Sequence, residues 1–191
     1  YAVDNAFDYF KKIEDGPVLG KMLLRFAKLL RSHSHEADLM SWKKQVVAEH
    51  ADFPESLDTV ILTYEYVLNN RKYAQVVDCA KDMVGIYAKH PAYESFPKAQ
   101  KQVLDTAESL QNLIIKNKGA TEVGSYSRIL AQLYDAFVRM VDEKDPRIPR
   151  AHYNLAETLF TIKDYAGATE HYRWVGDGDA AFQRHEDILL A

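Results

Sequence analysis

A single cysteine, Cys79, stands in a chain of 191 residues, which excludes an internal disulfide framework and any multi-cysteine zinc site. Glycine and proline are scarce too, eight and six. All-β folds need turn residues every few positions, so this shortage argues for long helices joined by short connections. No apolar run approaches the roughly 18–20 residues that cross a bilayer. A dense basic cluster is also missing: 24 Lys and Arg stand against 28 Asp and Glu, a formal net charge of −4. Lys11-Lys12 and Lys43-Lys44 read as solvated helix faces, not as the basic stripe of a nucleic-acid binder. Tyr1 opens the chain without a Met or a charged-then-apolar leader, which predicts a processed form or a fragment of a longer chain.

What the sequence does contain is apolar spacing at three and four residues, almost end to end, which is the helix signature. About ten helices and no strand are expected. The first covers Val3 to Ile13, stopped by Asp15-Gly16-Pro17. The second carries Leu19, Met22, Leu23, Phe26, Leu29 and Leu30 to the polar stretch Ser32-His33-Ser34-His35. The third carries Leu39, Trp42, Val46 and Val47 to His50. After Asp52–Ser56 a stripe of Leu57, Val60, Ile61, Tyr64 and Leu68 stops at Asn69-Asn70, and Tyr73 opens a helix that reaches about Lys89. Two long helices follow, Phe96–Lys116 and one from a Thr121 cap through Val141, then Arg147–Ile162, Tyr165–Val175 and Asp179–Leu190. The fold class is therefore all-α, with successive helices antiparallel across short connections.

One segment repeats a known pattern. Over Ala151–Val175, Leu155-Ala156 pairs a large residue with a small one, and Leu159 follows a turn later. Lys163-Asp164-Tyr165 makes a turn, and Ala168 and Tyr172 return on the second helix. Small residues belong where helix axes approach closely, and Leu155, Leu159 and Tyr172 fill the seam between them. The segment resembles one tetratricopeptide repeat, departing from it at His152 and Val175. Asp145-Pro146 precedes it at the spacing of a repeat end. Val60–Met83 resembles a degenerate copy, with Asn70-Arg71-Lys72-Tyr73 at the turn, Pro54 ahead of it and Val76 at the small position. Leu19–Val47 shows only periodicity. The resemblance implies a right-handed superhelix, an α-solenoid of antiparallel helix pairs. Residues 1–191 then form a single helical domain of a longer chain, with the clearest repeat at 147–175 and the degenerate one at 57–91.

Catalytic chemistry leaves no local trace. His33-x-His35-Glu36 lacks a third ligand at fixed spacing and reads as a solvated turn. Gly176-Asp177-Gly178-Asp179 begins like a calcium loop, but the twelfth position from Asp177 is Ile188, not Glu, so no such site forms. Neither a His-Glu-x-x-His motif nor a Gly-rich phosphate loop occurs. Cys79 lies mid-helix without a neighbouring His and reads as a buried structural thiol. No catalytic residue, cofactor or metal ligand is expected. The twelve tyrosines, each an apolar body with a polar tip, suit recognition surfaces as well as repeat packing.

The tetratricopeptide resemblance implies a non-enzymatic scaffold that holds a peptide segment or a partner helix in a concave groove. In that family the first helix of each repeat lines the groove, which implies Arg150, Tyr153, Asn154, Glu157 and Phe160 here. The degenerate copy offers Asp58, Ile61, Leu62 and Glu65 instead. It thus lacks the second basic pair of a chaperone-type carboxylate clamp, and a mixed groove for an internal segment fits better. The proline-punctuated turns resemble those of bacterial envelope-assembly repeat lipoproteins, which implies an envelope or periplasmic complex; otherwise the chain reads as cytoplasmic. The apolar end Ile188-Leu189-Leu190-Ala191 predicts continuation of the chain or self-association through its last helix. The alternative is a helical enzyme, such as a metal-dependent hydrolase, whose site gathers scattered His and carboxylates.

Overall fold

The computed structural model describes residues 2–13, 17–33, 35–117 and 123–178. Among these there are nine helices and no strand, as the periodicity predicts. They are α1 Ala2–Ile13, α2 Pro17–Ser32, α3 Glu36–His50, α4 Ser56–Asn69, α5 Tyr73–Tyr87, α6 Phe96–Lys116, α7 Val123–Arg139, α8 Ile148–Thr161 and α9 Tyr165–Gly178. The expected helix over Asp179–Leu190 and the expected Thr121 cap lie outside the described residues. The chain divides into two compact units, one ending at Ala99 and one beginning at Gln100, with the division inside α6.

In the first unit, Leu19, Leu23, Ala27 and Leu30 recur every three or four residues and bury one stripe of α2 against Leu39, Trp42 and Val46 of α3. Phe10 of α1 meets Trp42 and Phe26 edge-on, and the Trp42 indole N–H donates to the Leu23 carbonyl at 3.0 Å. The α4 helix is buried on more than one side: Leu57, Val60, Ile61, Tyr64 and Val67 are all in the core. Gly20 lies so close to the start of α4 that a Cβ there would stand 2.7 Å from Glu55 Cβ. Between α3 and α5, Lys43, only 3% exposed, pairs with Asp82 at 2.5 Å.

In the second unit, Val103, Ala107 and Leu110 of α6 and Leu130, Leu133, Tyr134 and Phe137 of α7 are buried. The Tyr134 hydroxyl donates to Gln111 Oε1 at 2.6 Å. Burial pushes its pKa up to about 12. The α8–α9 crossing is built on Ala156 and Ala168, both buried, which is the role expected of small residues there. Leu155 is buried, while Leu159 and Tyr172 are half-buried.

Two helix pairs are closed by the same turn, and a third shares part of its hydrogen-bond pattern. In α4–α5 the amide of Lys72 donates to the Val67 carbonyl, that of Arg71 to Leu68 and that of Asn70 to Tyr66. In α8–α9 the corresponding donors are Asp164 to Leu159, Lys163 to Phe160 and Ile162 to Thr158. The α2–α3 pair repeats the outer two bonds, His35 to Leu30 and His33 to Leu29, so the region that showed only periodicity is a third hairpin. A six-to-one bond around a left-handed residue is the Schellman closure, which satisfies carbonyls that the helix end would leave orphaned. The links between pairs recur too: Phe53 to His50 and Ser56 to Phe53, Tyr93 to His90 and Phe96 to Tyr93, Asp145 to Asp142 and Ile148 to Asp145.

Candidate peptide-binding face

The five expected groove residues occupy one side of α8, away from its buried positions Ala151, Leu155 and Ala156, because residues three and four apart share a helix face. Arg150 and Glu157 are exposed, and Tyr153 and Asn154 are half-buried. Phe160 is 58% exposed and meets the equally exposed Tyr165 edge-on, with ring centroids 5.4 Å apart. Tyr153 packs edge-on against Tyr172 of α9 at 6.1 Å, and the Tyr172 hydroxyl donates to Glu157 Oε1. Asn154 is partly committed inside the protein, since its Nδ2 donates to the Tyr134 hydroxyl at 3.2 Å. The face is thus an aromatic band, Tyr172–Tyr153 and Phe160–Tyr165, with Arg150 at one end.

The matching positions of α4 are used differently. Asp58 accepts the Tyr93 hydroxyl at 2.7 Å and the Ser95 hydroxyl at 2.6 Å, anchoring the link between α5 and α6. Burial, together with the Asp58 bond, pushes the Tyr93 phenol well above its usual range. Glu65 receives Arg31 Nη1 at 3.0 Å and Lys98 Nζ at 2.8 Å. Ile61 and Leu62 are buried. The α4 copy therefore puts its polar groove positions to structural work, tying neighbouring segments together.

Sequence spacing missed one pair of groups altogether. His152 Nδ1 lies 2.8 Å from His171 Nδ1, and the His152 ring stacks on Trp174 at 4.0 Å with planes 12° apart. Burial, and then the neighbouring His171, press the His152 pKa down to about 4. Trp174 thus supplies from α9 an aromatic partner for the His152 that departs from the repeat pattern. Glu170, Arg173 and Trp174 join the two imidazoles around a cleft of about 260 Å³. Among the described residues no group of three or more His, Cys, Asp or Glu is arranged to hold a metal. The His33 and His35 rings stand 6.5 Å apart. Cys79 is buried, and burial pushes its thiol up to about 12, so it is neither exposed nor ionised at neutral pH. None of the described helices is long and apolar enough to cross a membrane.

Compared with known proteins, the chain matches no family model and no curated sequence.

Proposed function

We propose that the protein is a non-enzymatic interaction scaffold with tetratricopeptide-like helix pairs stacked in a right-handed superhelix. Its α8 face, Arg150, Tyr153, Asn154, Glu157 and Phe160, receives a peptide segment or a partner helix. The observation that carries this reading is Phe160: a large aromatic side chain 58% open to water at the end of an aromatic band. Exposed apolar surface grouped in this way marks interaction sites, whereas isolated exposed residues do not. Aromatic side chains bring large contact area at little entropic cost, and Arg150 and Asn154 add donors for main-chain carbonyls.

The test is capture of a partner by the intact chain and its variants. Tyr153→Ala should weaken capture by at least about 2 kcal/mol while the fold is retained. Glu170→Ala is the control, because Glu170 lies two residues from Tyr172 and so on roughly the other side of α9. Equal loss in both variants, or loss in neither, would place the interaction elsewhere.

A further inference from the structure

The aromatic band of α8 and α9 has a regular spacing. Tyr153 and Phe160 stand seven residues apart on α8, and Tyr165 and Tyr172 stand seven apart on the antiparallel α9. Two turns of each helix therefore separate two edge-on couples, Tyr153–Tyr172 and Phe160–Tyr165, by about 10.5 Å. Tyr165 is 55% exposed, and its hydroxyl meets no partner among the described residues. A row of charge runs beside the aromatics. Arg150 and Glu157 are again seven residues apart on the same face of α8, and both are exposed. Neither pairs with an opposite charge among the described residues; the Glu157 carboxylate accepts the Tyr172 hydroxyl instead.

These two rows decide the shape of the occupant. An amphipathic helix offers apolar side chains at i, i+3 or i+4, and i+7. Its middle side chain would fall between the aromatic couples, beside the Glu157 carboxylate. A polyproline II segment leaves that middle uncovered. It turns once in three residues, so prolines at i and i+3 point the same way about 9.3 Å apart, within about 1 Å of the couple spacing. The residues before those prolines form a second row of the same pitch, which follows Arg150 and Glu157. Its carbonyls make no internal hydrogen bonds, so they accept from the Tyr165 hydroxyl. Aromatic-lined grooves suit such a segment because it is already ordered before it binds.

We infer that the band takes a polyproline II segment with prolines three residues apart, one on each aromatic couple. An acid and a base, also three apart, lie against Arg150 and Glu157. This rests on the α8 face being the binding face and names its ligand.

A dye-labelled peptide of three Glu-Pro-Ala-Lys-Pro-Ala repeats, titrated with the intact chain and followed by fluorescence anisotropy, tests this. The repeat keeps its prolines on one row and alternating charges on the next, whichever way it runs. It should bind at least about ten-fold more tightly than three repeats of Glu-Ala-Pro-Pro-Lys-Ala, the same residues out of register. Phe160→Ala and Tyr165→Ala should each weaken it about ten-fold or more. Phe160→Trp should keep binding, and Tyr9→Ala, which removes a 63% exposed aromatic of α1, should leave it unchanged. Arg150→Glu should weaken it too, and replacing every Glu of the peptide by Lys should restore binding to that variant, which also shows that the variant is folded. Equal affinity for the two registers, no binding at about 1 mM, or indifference to Phe160→Ala or Arg150→Glu would overturn the inference. Panning the chain and Phe160→Ala against a random-peptide library separates the two readings. Phe160-dependent capture of proline-free helical peptides alone keeps the scaffold face and ends this inference; no Phe160-dependent capture of any peptide ends both.

Discussion

Arg71 and Lys163 hold the same place in the same turn of two different hairpins, each with a positive φ, 56° and 66°. A shift of 92 residues carries α4 onto α8, 56 to 148 and 69 to 161, and carries Pro54 onto Pro146. Both hairpins therefore place a long, unbranched, charged residue where glycine is the usual choice, because only a left-handed residue lets the six-to-one bond close.

That placement carries a strain of about 1 kcal/mol for an L residue. Lys163→Gly should raise stability by up to about 0.5 kcal/mol, after allowance for the greater freedom of glycine in the unfolded chain. Lys163→Val should lower it by about 1–2 kcal/mol, since a β-branched side chain fits this region worst. Urea midpoints at constant m-value decide both signs.

Ala168 is buried where α8 and α9 cross. Ala168→Leu should destabilise by about 1–3 kcal/mol, the usual range for forcing methylenes into a packed seam. An unchanged thermal midpoint would show that the crossing yields without strain.

Lys43 and Asp82 test how a buried charge is tolerated. Lys43 is almost completely covered and its ammonium leans on Asp82. Asp82→Ala should cost about 3 kcal/mol because the lysine is left buried and unpaired. The double variant Lys43→Met with Asp82→Ala should recover most of that loss, since no charge then needs solvation. A double-mutant cycle by chemical denaturation measures the coupling; additive losses would mean that Lys43 reaches water another way.

His152 predicts acid sensitivity in the α8–α9 pair. Its pKa falls from the ordinary 6.5 to about 4 in the folded protein, so the unfolded chain binds the proton more readily. The stability it contributes is fully present above about pH 6.5 and is lost as the pH falls towards 4. Two Nδ1 atoms 2.8 Å apart share one hydrogen and have no room for two. The charged groups nearby are mixed: Glu170 and Arg173 line the same cleft, and Asp135 and Arg128 line the neighbouring one with His171. Allowing for solvent screening of the half-exposed ring, the loss is about 1–2 kcal/mol. His152→Gln should flatten this part of the stability profile; a profile of the same slope as wild type would assign the acid sensitivity to other groups.

Local order was written plainly in the chain. Helix positions follow from apolar spacing because each turn of an α-helix repeats the same face, and the turn residues at Asn70–Lys72 and Lys163-Asp164 act within a few bonds of themselves. The burial of Ala156 and Ala168 was legible for the same reason: the pattern of small and large residues within one hairpin encodes its own crossing. The α2–α3 hairpin was less legible, because its closure rests on backbone hydrogen bonds that impose no particular side chain.

What only the tertiary structure decided is which polar groups remain available. Nothing in the spacing of Asp58, Tyr93 and Ser95 says that they meet, or that Glu65 sits between Arg31 and Lys98. Likewise, Asn154 looks like a free groove amide until α7 brings up the Tyr134 hydroxyl. His152 and His171, 19 positions apart, become neighbours only when α9 folds back on α8. Apolar periodicity by itself determined where the helices lie, because burial rewards one face of each helix at short range. Side-chain pairing depends on the fit between helices distant in the chain, and that fit alone left Phe160 open to water.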